Sequence, residues 1–402
     1  MSNNIIGFMS LGMLLFYLIN YRKLNGKEIG FPLYIYFAMF PFKLRALPLL
    51  SYDDLLLKSI LIFGLFLFVV KNNKLKINIY EVLFLVSVIM SDLLALYSNS
   101  EQTTLMLTGL FNIIFIFSFT IYFKSKVGKW EGMYLIFKIL IINATVLSVM
   151  ALIEILIYLE LRAAVSMNNP NYLGFYLTIA FCITMYLTKK ISIKSVILLI
   201  LLGLGIISTG SFSAILGMVL CMILISFYYF INKSLYKYFT YIFFISFFVI
   251  AVYYIILGSS DIALTNPLVG KILEQKDNIR LYVWGYAIEL WKNNIVFGIG
   301  YNNFFYVVNN YSYVTHNDAL RLIVETGIIG TFVMICYVIG LIIKIVRCRK
   351  NELILFVSIL SSIFIFSMFH NNMNSLLFWT MLSLPLYKSI IEQQYDDKFK
   401  TR

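Results

Sequence analysis

THNDALRLIVETGIIGTFVMICYVIGLIIKIVRCRK, from Thr315 to Lys350, passes through three chemically distinct stretches. A polar cluster of His316, Asp318, Arg321 and Glu325 comes first. An apolar block without a single charge follows, from Thr326 to Ile343, and it ends in Lys344, Arg347, Arg349 and Lys350. Such a block is long enough to cross ~30 Å of hydrocarbon as a helix. Basic residues mark the cytoplasmic end of a span, so the polar cluster is expected on the opposite, outer face.

The rest of the chain repeats the pattern. Of its 402 residues 61% are hydrophobic and 13% charged, whereas soluble domains are roughly 45–50% apolar. The apolar residues fall in blocks of about 17–25, which predicts helices near 5–20, 31–49, 54–70, 79–97, 103–123, 133–158, 172–188, 193–208, 211–231, 237–257, 326–345, 352–369 and 375–391. Pro32, Pro41, Lys43, Arg45 and Pro48 interrupt the second, which reads as a kinked span or a re-entrant segment. The first block, Ile5 to Asn20, has no basic segment before it and no small-residue cleavage site after it, so it reads as a retained helix. The expected fold is all-α: one polytopic membrane domain over residues 1–402, with about 12–13 spans and one long external loop containing short helices.

A net charge of +13 would suggest a nucleic-acid partner in a soluble protein. Here the positions of the basic residues account for it, and no nucleic acid is expected. Clusters at Arg22-Lys23-Lys27, Lys71-Lys74-Lys76, Lys124-Lys126-Lys129, Lys189-Lys190-Lys194, Lys233-Lys237, Lys344-Arg347-Arg349-Lys350 and Lys398-Lys400-Arg402 fall at every second loop. The intervening loops, such as SNSEQT at 98–103 and the turn Ser208-Thr209-Gly210, are nearly free of positive charge. Two loops on the outer side stand out: about Glu160 to Asn171, and the much longer 258–325. Cys182, Cys221, Cys336 and Cys348 have no CxxC spacing and read as packing residues, with neither a disulfide nor a metal site expected.

The long loop carries most of the candidate chemistry. In IRLYVWGYAIELWKNN, Arg280, Trp284, Ala287 and Trp291 share one helical face. Indoles on such a face suit a helix in the lipid headgroup layer, and a guanidinium there can grip phosphate. GIGYNNF, Gly298 to Phe304, is a turn whose glycines permit close backbone approach. Thr315 then reads as the cap of a helix whose first turn holds His316, Asn317 and Asp318, with Thr315 and Asp318 as a capping box. A helix N-terminus disfavours imidazolium, which would leave His316 neutral and able to accept a proton. Arg321 and Glu325 sit at i, i+4 and read as a structural pair. The chain's other histidine, His370, opens HNNMN in a short turn on the same expected side, where a structural or headgroup role is favoured.

In the shorter outer loop, Asn169 and Pro170 fit a helix cap and its first position, whereas packing alone gives Arg162 no task. Asp92 and Glu154 lie toward outer helix ends and Lys138 toward an inner one; intramembrane ionisable residues are functional candidates by default. They form no recognisable relay.

Taken in order, Arg162 ahead of NNPNYLGFYL, STGSFSAILG at 208–217, Arg280 with Trp284, GIGYNNF and HNDALRLIVETGIIG resemble the O-antigen ligase and polymerase superfamily of bacterial envelope glycosyltransferases. The resemblance covers about residues 150–345. It implies a metal-independent inverting transfer without a cofactor, from a glycan linked to undecaprenyl diphosphate, at the outer face of the bacterial cytoplasmic membrane. With it, His316 is expected to act as general base or to orient the acceptor, Arg162 and Arg280 to hold the diphosphate, and Asn317, Arg321, Glu325 and His370 to support them. Phe212 stands where the family often carries an arginine, which leaves Arg162 and Arg280 as the phosphate pair. Implied partners are the lipid-linked donor and acceptor, the bilayer, and the chain-length regulator and flippase of the same pathway. Between polymerase and ligase, the Lys-, Asn-, Ile-, Phe- and Tyr-rich composition favours a polymerase of O-antigen, capsule or exopolysaccharide. A lipid-linked oligosaccharide flippase would show an internal repeat and polar groups near the midplane, and the sequence displays no repeat.

Overall fold

The computed structural model describes residues 3–42, 53–71, 75–97, 103–127, 130–158, 162–167, 169–188, 192–231, 277–308, 311–348, 350–373 and 375–385. The helix expected near 237–257 lies outside the described residues, as do the loop residues 258–276, residues 43–49 of the 31–49 segment and residues 386–391 of the 375–391 segment.

The described chain is helical, in the order α1 (Asn3–Asn20), α2 (Phe31–Met39), α3 (Asp53–Val70), α4 (Ile79–Tyr97), α5 (Thr103–Lys126), α6 (Trp130–Tyr158), α7 (Pro170–Leu187), α8 (Ile193–Ser208), α9 (Phe212–Ile231) and α10 (Asp277–Asn293). A two-stranded antiparallel hairpin follows, β1 (Tyr306–Val308) with β2 (Tyr311–Tyr313), then α11 (Asp318–Val346) and α12 (Lys350–Phe369). A last apolar helix, α13, spans Leu376–Pro385. The hairpin departs from the helices expected in the long loop; tyrosine and valine favour the pleated backbone.

Five helices among the described residues are long and apolar enough to span a bilayer: Ile79–Tyr97, Met106–Lys126, Glu131–Tyr158, Asp318–Val346 and Glu352–Phe369. Their polarity is inverted relative to a soluble protein. On α4 the buried face carries Glu81, Ser87, Ser91 and Asp92, while Val86, Met90, Leu93 and Leu94 are exposed. On α11, Ile328, Phe332, Ile335, Ile339 and Ile342 form an exposed stripe at alternating spacings of four and three. An uninterrupted apolar stripe of this kind belongs against lipid. The chain is a multi-pass membrane protein.

Two compact units, each discontinuous in sequence, divide the fold: residues 1–64, 129–275 and 349–365, and residues 65–128, 276–348 and 366–402. In the first, α7 is the core helix, buried from Leu173 to Met185 and packed against α6, α8 and α9. Thr178 Oγ1 donates toward Gly174 O and, across to α9, toward Ala214 O (2.9 and 3.1 Å). Short α2 is fixed by Asn143, whose amide donates to Phe37 O and Ala38 O (3.0 and 3.1 Å) while its oxygen accepts from Tyr17 OH (2.6 Å).

In the second unit, α4 packs along α11, and Trp379 of α13 is buried against the rings of Phe84, Phe117 and Tyr337. Glu81 and Lys124 form a buried ion pair, to which Tyr337 adds a hydrogen bond of 3.4 Å on Glu81 Oε1. A charge removed from water persists only when so paired.

Candidate functional site

The second unit brings together four segments that the sequence separates: α10, the turn 298–304, residues 315–325 and residues 370–373. Their assembly begins with a small apolar core of Val283, Ala287, Phe304 and Val324, over which Trp284, Leu290 and Trp291 pack. Trp284, Ala287 and Trp291 of the helical stripe on α10 therefore pack on protein. Trp284 Nε1 also donates to Thr315 O (2.8 Å), so the indole holds the histidine loop. Arg280, one turn earlier, is exposed.

The two glycine motifs are each other's partner. Gly298 and Gly327 have φ of 76° and 64°, and a Cβ on either would meet backbone atoms of the other segment. Ile299 N donates to Val324 O (3.0 Å), Gly300 N to Glu325 O (3.1 Å) and Ile328 N to Ile295 O (2.9 Å). Only glycine permits both the backbone approach and the left-handed dihedral. The same Gly327 interrupts α11, whose φ/ψ are non-helical there.

Inside this junction lies a buried polar network. Arg321 Nε donates to Glu325 Oε2 (3.0 Å), and Arg321 Nη2 to Asn302 Oδ1 (3.0 Å). Asn302 N completes the triangle on Glu325 Oε2 (2.9 Å), with the Tyr301 ring 5.2 Å from the guanidinium carbon. From α4, Asp92 accepts from Tyr301 N (2.5 Å) and Ser91 Oγ donates to Glu325 O (2.6 Å). The i, i+4 pair expected at Arg321 and Glu325 is thus present. Its setting, a brace between the Gly298–Asn302 turn and α11, is not legible in the spacing.

The histidine loop differs from its expected form. The cap of α11 is Asn317, whose Oδ1 accepts from Leu320 N (3.0 Å), so the helix expected after Thr315 begins at Asp318 and runs, through the break at Gly327, into the span expected near 326. Thr315 cannot cap, because its hydroxyl is turned to Asn371 Oδ1 (3.1 Å) and Asn317 O (3.2 Å). Asp318 does not close a capping box either. Its carboxylate accepts from Asn372 N (2.8 and 2.9 Å) and Met373 N (3.2 Å), two peptide N–H groups of the distant HNNMN segment. His316 lies before the helix, exposed, at φ 48°. Desolvation by the protein at its flank, and then the Arg280 guanidinium, hold its pKa below the ordinary histidine value. The neutral imidazole expected from a helix N-terminus thus has a different cause. His370 packs against Phe366, ring centroids 4.5 Å apart and planes tilted by 38°.

Arg162 belongs to the first unit, where its Nε donates to Thr209 O (3.0 Å) and its Nη2 to Asn171 Oδ1 (2.8 Å). It therefore has a packing task that its sequence context does not reveal, tying the Ser208–Gly210 turn to the start of α7. Asn169 caps α7 with Pro170 in its first turn, as expected. Glu154 accepts from Ala164 N and Val165 N (2.9 and 2.8 Å), and Lys138 lies 4.6 Å from the centre of the Tyr134 ring. Among the described residues, no group of three or more His, Cys, Asp or Glu side chains is placed to hold a metal ion.

The segment from the first turn of α8 to the middle of α11 has a counterpart among known families. Residues 196–335 match the family model described as O-antigen ligase. The match supports the O-antigen ligase and polymerase superfamily. It takes in Arg280, His316, Arg321 and Glu325, and excludes Arg162 and the 370–373 segment. No curated protein matches the chain.

Proposed function

We propose that the chain is a membrane glycosyltransferase that polymerises undecaprenyl-diphosphate-linked repeat units into O-antigen, capsular or exopolysaccharide at the outer face of the bacterial cytoplasmic membrane. The observation that carries the reading is His316: exposed on a pinned loop, beside a cationic side chain that favours its neutral form, within a segment of O-antigen ligase type. A neutral imidazole accepts the proton of the attacking sugar hydroxyl as the glycosyl bond to diphosphate breaks. Arg280 offers an exposed cation to the leaving diphosphate, a polyanion that a guanidinium grips bidentately. Arg162 is proposed for the same anion on the sequence pattern alone. The isoprenoid tail keeps the reacting centre at membrane level, and the alternation of basic loops supports the outward orientation. The chain-length regulator and flippase of the pathway are its proposed partners.

The test is surface-glycan electrophoresis on a deletion strain carrying His316→Ala at wild-type protein level. Loss of every band beyond one repeat is expected, with transfer slowed at least about a hundredfold in vitro; an undiminished ladder refutes the assignment. The family description favours a second reading, transfer of finished glycan as a ligase. In that case the deletion strain accumulates full-length polymer on its lipid carrier.

A further inference from the structure

We infer that Asn371, beyond the family-matched segment, is the positioning residue that sets His316 for proton transfer. The inference rests on the role proposed for His316 and adds to it the C-terminal segment 370–373. A single oxygen, Asn371 Oδ1, accepts from Thr315 Oγ1 and from Asn317 N, both at 3.1 Å. These donors belong to the residues on either side of His316. Bridging them draws the backbone into a narrow bulge with His316 at its tip, in the left-handed region (φ 48°) that residues with a Cβ seldom adopt. The bulge is secured from three further directions: Trp284 Nε1 on Thr315 O, Asn317 Nδ2 on Met368 O (3.3 Å), and the Asp318 carboxylate on Asn372 N and Met373 N. Asn371 is itself anchored from its C-terminal side, since Trp379 Nε1 donates to Met373 O (2.7 Å) and the indole is buried against Phe84 and Phe117. A sparsely populated dihedral kept by converging hydrogen bonds is a hallmark of groups held for chemistry. Asn371 touches the two residues that flank His316, so its effect is on the orientation of the base.

Two measurements on the full-length protein in detergent or nanodiscs test this. The first follows transfer kinetics with a lipid-diphosphate-linked repeat as donor, comparing wild type, Asn371→Ala, Asn371→Asp and His316→Ala. In Asn371→Ala, kcat is expected to fall at least tenfold while the donor KM stays within about twofold, since an orientation effect is felt in the transition state. Asn371→Asp keeps the accepting oxygen and is expected to recover most of kcat. The second measurement is an NMR pH titration of ring-labelled histidine. The chain has two histidines, and the signal lost in His316→Ala assigns His316. In Asn371→Ala that signal is expected to titrate closer to the ordinary histidine value, as the freed ring leaves its desolvated place beside Arg280. Should Asn371→Ala fail to fold, Thr315→Val removes one arm of the bridge and is expected to give the same changes at smaller size. Wild-type kcat and titration in a folded Asn371→Ala or Thr315→Val protein, with His316→Ala inactive, overturns the inference alone. A fully active His316→Ala overturns the proposed base and Asn371's role with it.

Discussion

His316 and Arg280 are coupled through charge, and the coupling has a sign. A base works only when deprotonated, so turnover falls as pH drops through its pKa. Desolvation and Arg280 keep the His316 pKa below the ordinary histidine value, which leaves it, in its proposed role, competent further into the acid range. Replacing Arg280 by glutamine removes the second of these causes. The acid limb of kcat is then expected to move to higher pH, with donor KM raised as well, in a pH-rate series on the two proteins. An unmoved acid limb would dissociate the pair. The candidacy of these residues is visible in the sequence, because a histidine, an arginine and an apolar chain narrow the possibilities. Their supports are not. Thr315 has the local context of a cap, yet its hydroxyl bonds Asn371, a partner 56 residues away that no local spacing announces. Asn371 itself is one asparagine among several in HNNMN, and only its two accepted hydrogen bonds single it out.

Element boundaries are legible where apolar periodicity runs undisturbed, as at α4 and α8, whose ends agree with the hydropathy reading. The start of α11 is not. The four ionisable side chains from His316 to Glu325 read as a short helix apart from the span, but Arg321 and Glu325 neutralise each other in a buried pair, and α11 takes them in. Removing one partner leaves the other charge buried and alone. Arg321→Met is therefore expected to lower stability by roughly 3–5 kcal/mol, and Arg321→Met with Glu325→Gln by less than the single change, as measured by thermal unfolding in detergent. Additive losses would mean that the two side chains act separately. Gly327 shows the same brace from the backbone side. Alanine there adopts a dihedral that costs on the order of 1–3 kcal/mol and collides with Val296 O, so Gly327→Ala is expected to lower the melting temperature even though it adds only a methyl group.

For the molecule as a whole, charge alternation gives an orientation that is open to direct test. In a cysteine-free background, a single cysteine at Val307, an exposed position on β1, is expected to react with a membrane-impermeant maleimide in intact cells. Reaction only after the membrane is opened would reverse the proposed topology. All-helical class and repeated spanning are evident from composition, since 61% hydrophobic residues in span-length blocks leave few other solutions. The division into two sequence-discontinuous units is not, because each unit is closed by segments far apart in the chain.

The grip of Asp318 on the peptide groups of Asn372 and Met373 gives the protein a timetable. The aspartate leaves the ribosome 54 residues ahead of the first group it must hold. Until that later stretch is made, the nascent polypeptide already contains every residue of the family-matched segment but lacks the contacts of Asn371, Asn372 and Met373 with its histidine loop. On the proposed reading, a partly synthesised chain thus works more slowly than the finished one, and the later-translated turn completes the setting of the base.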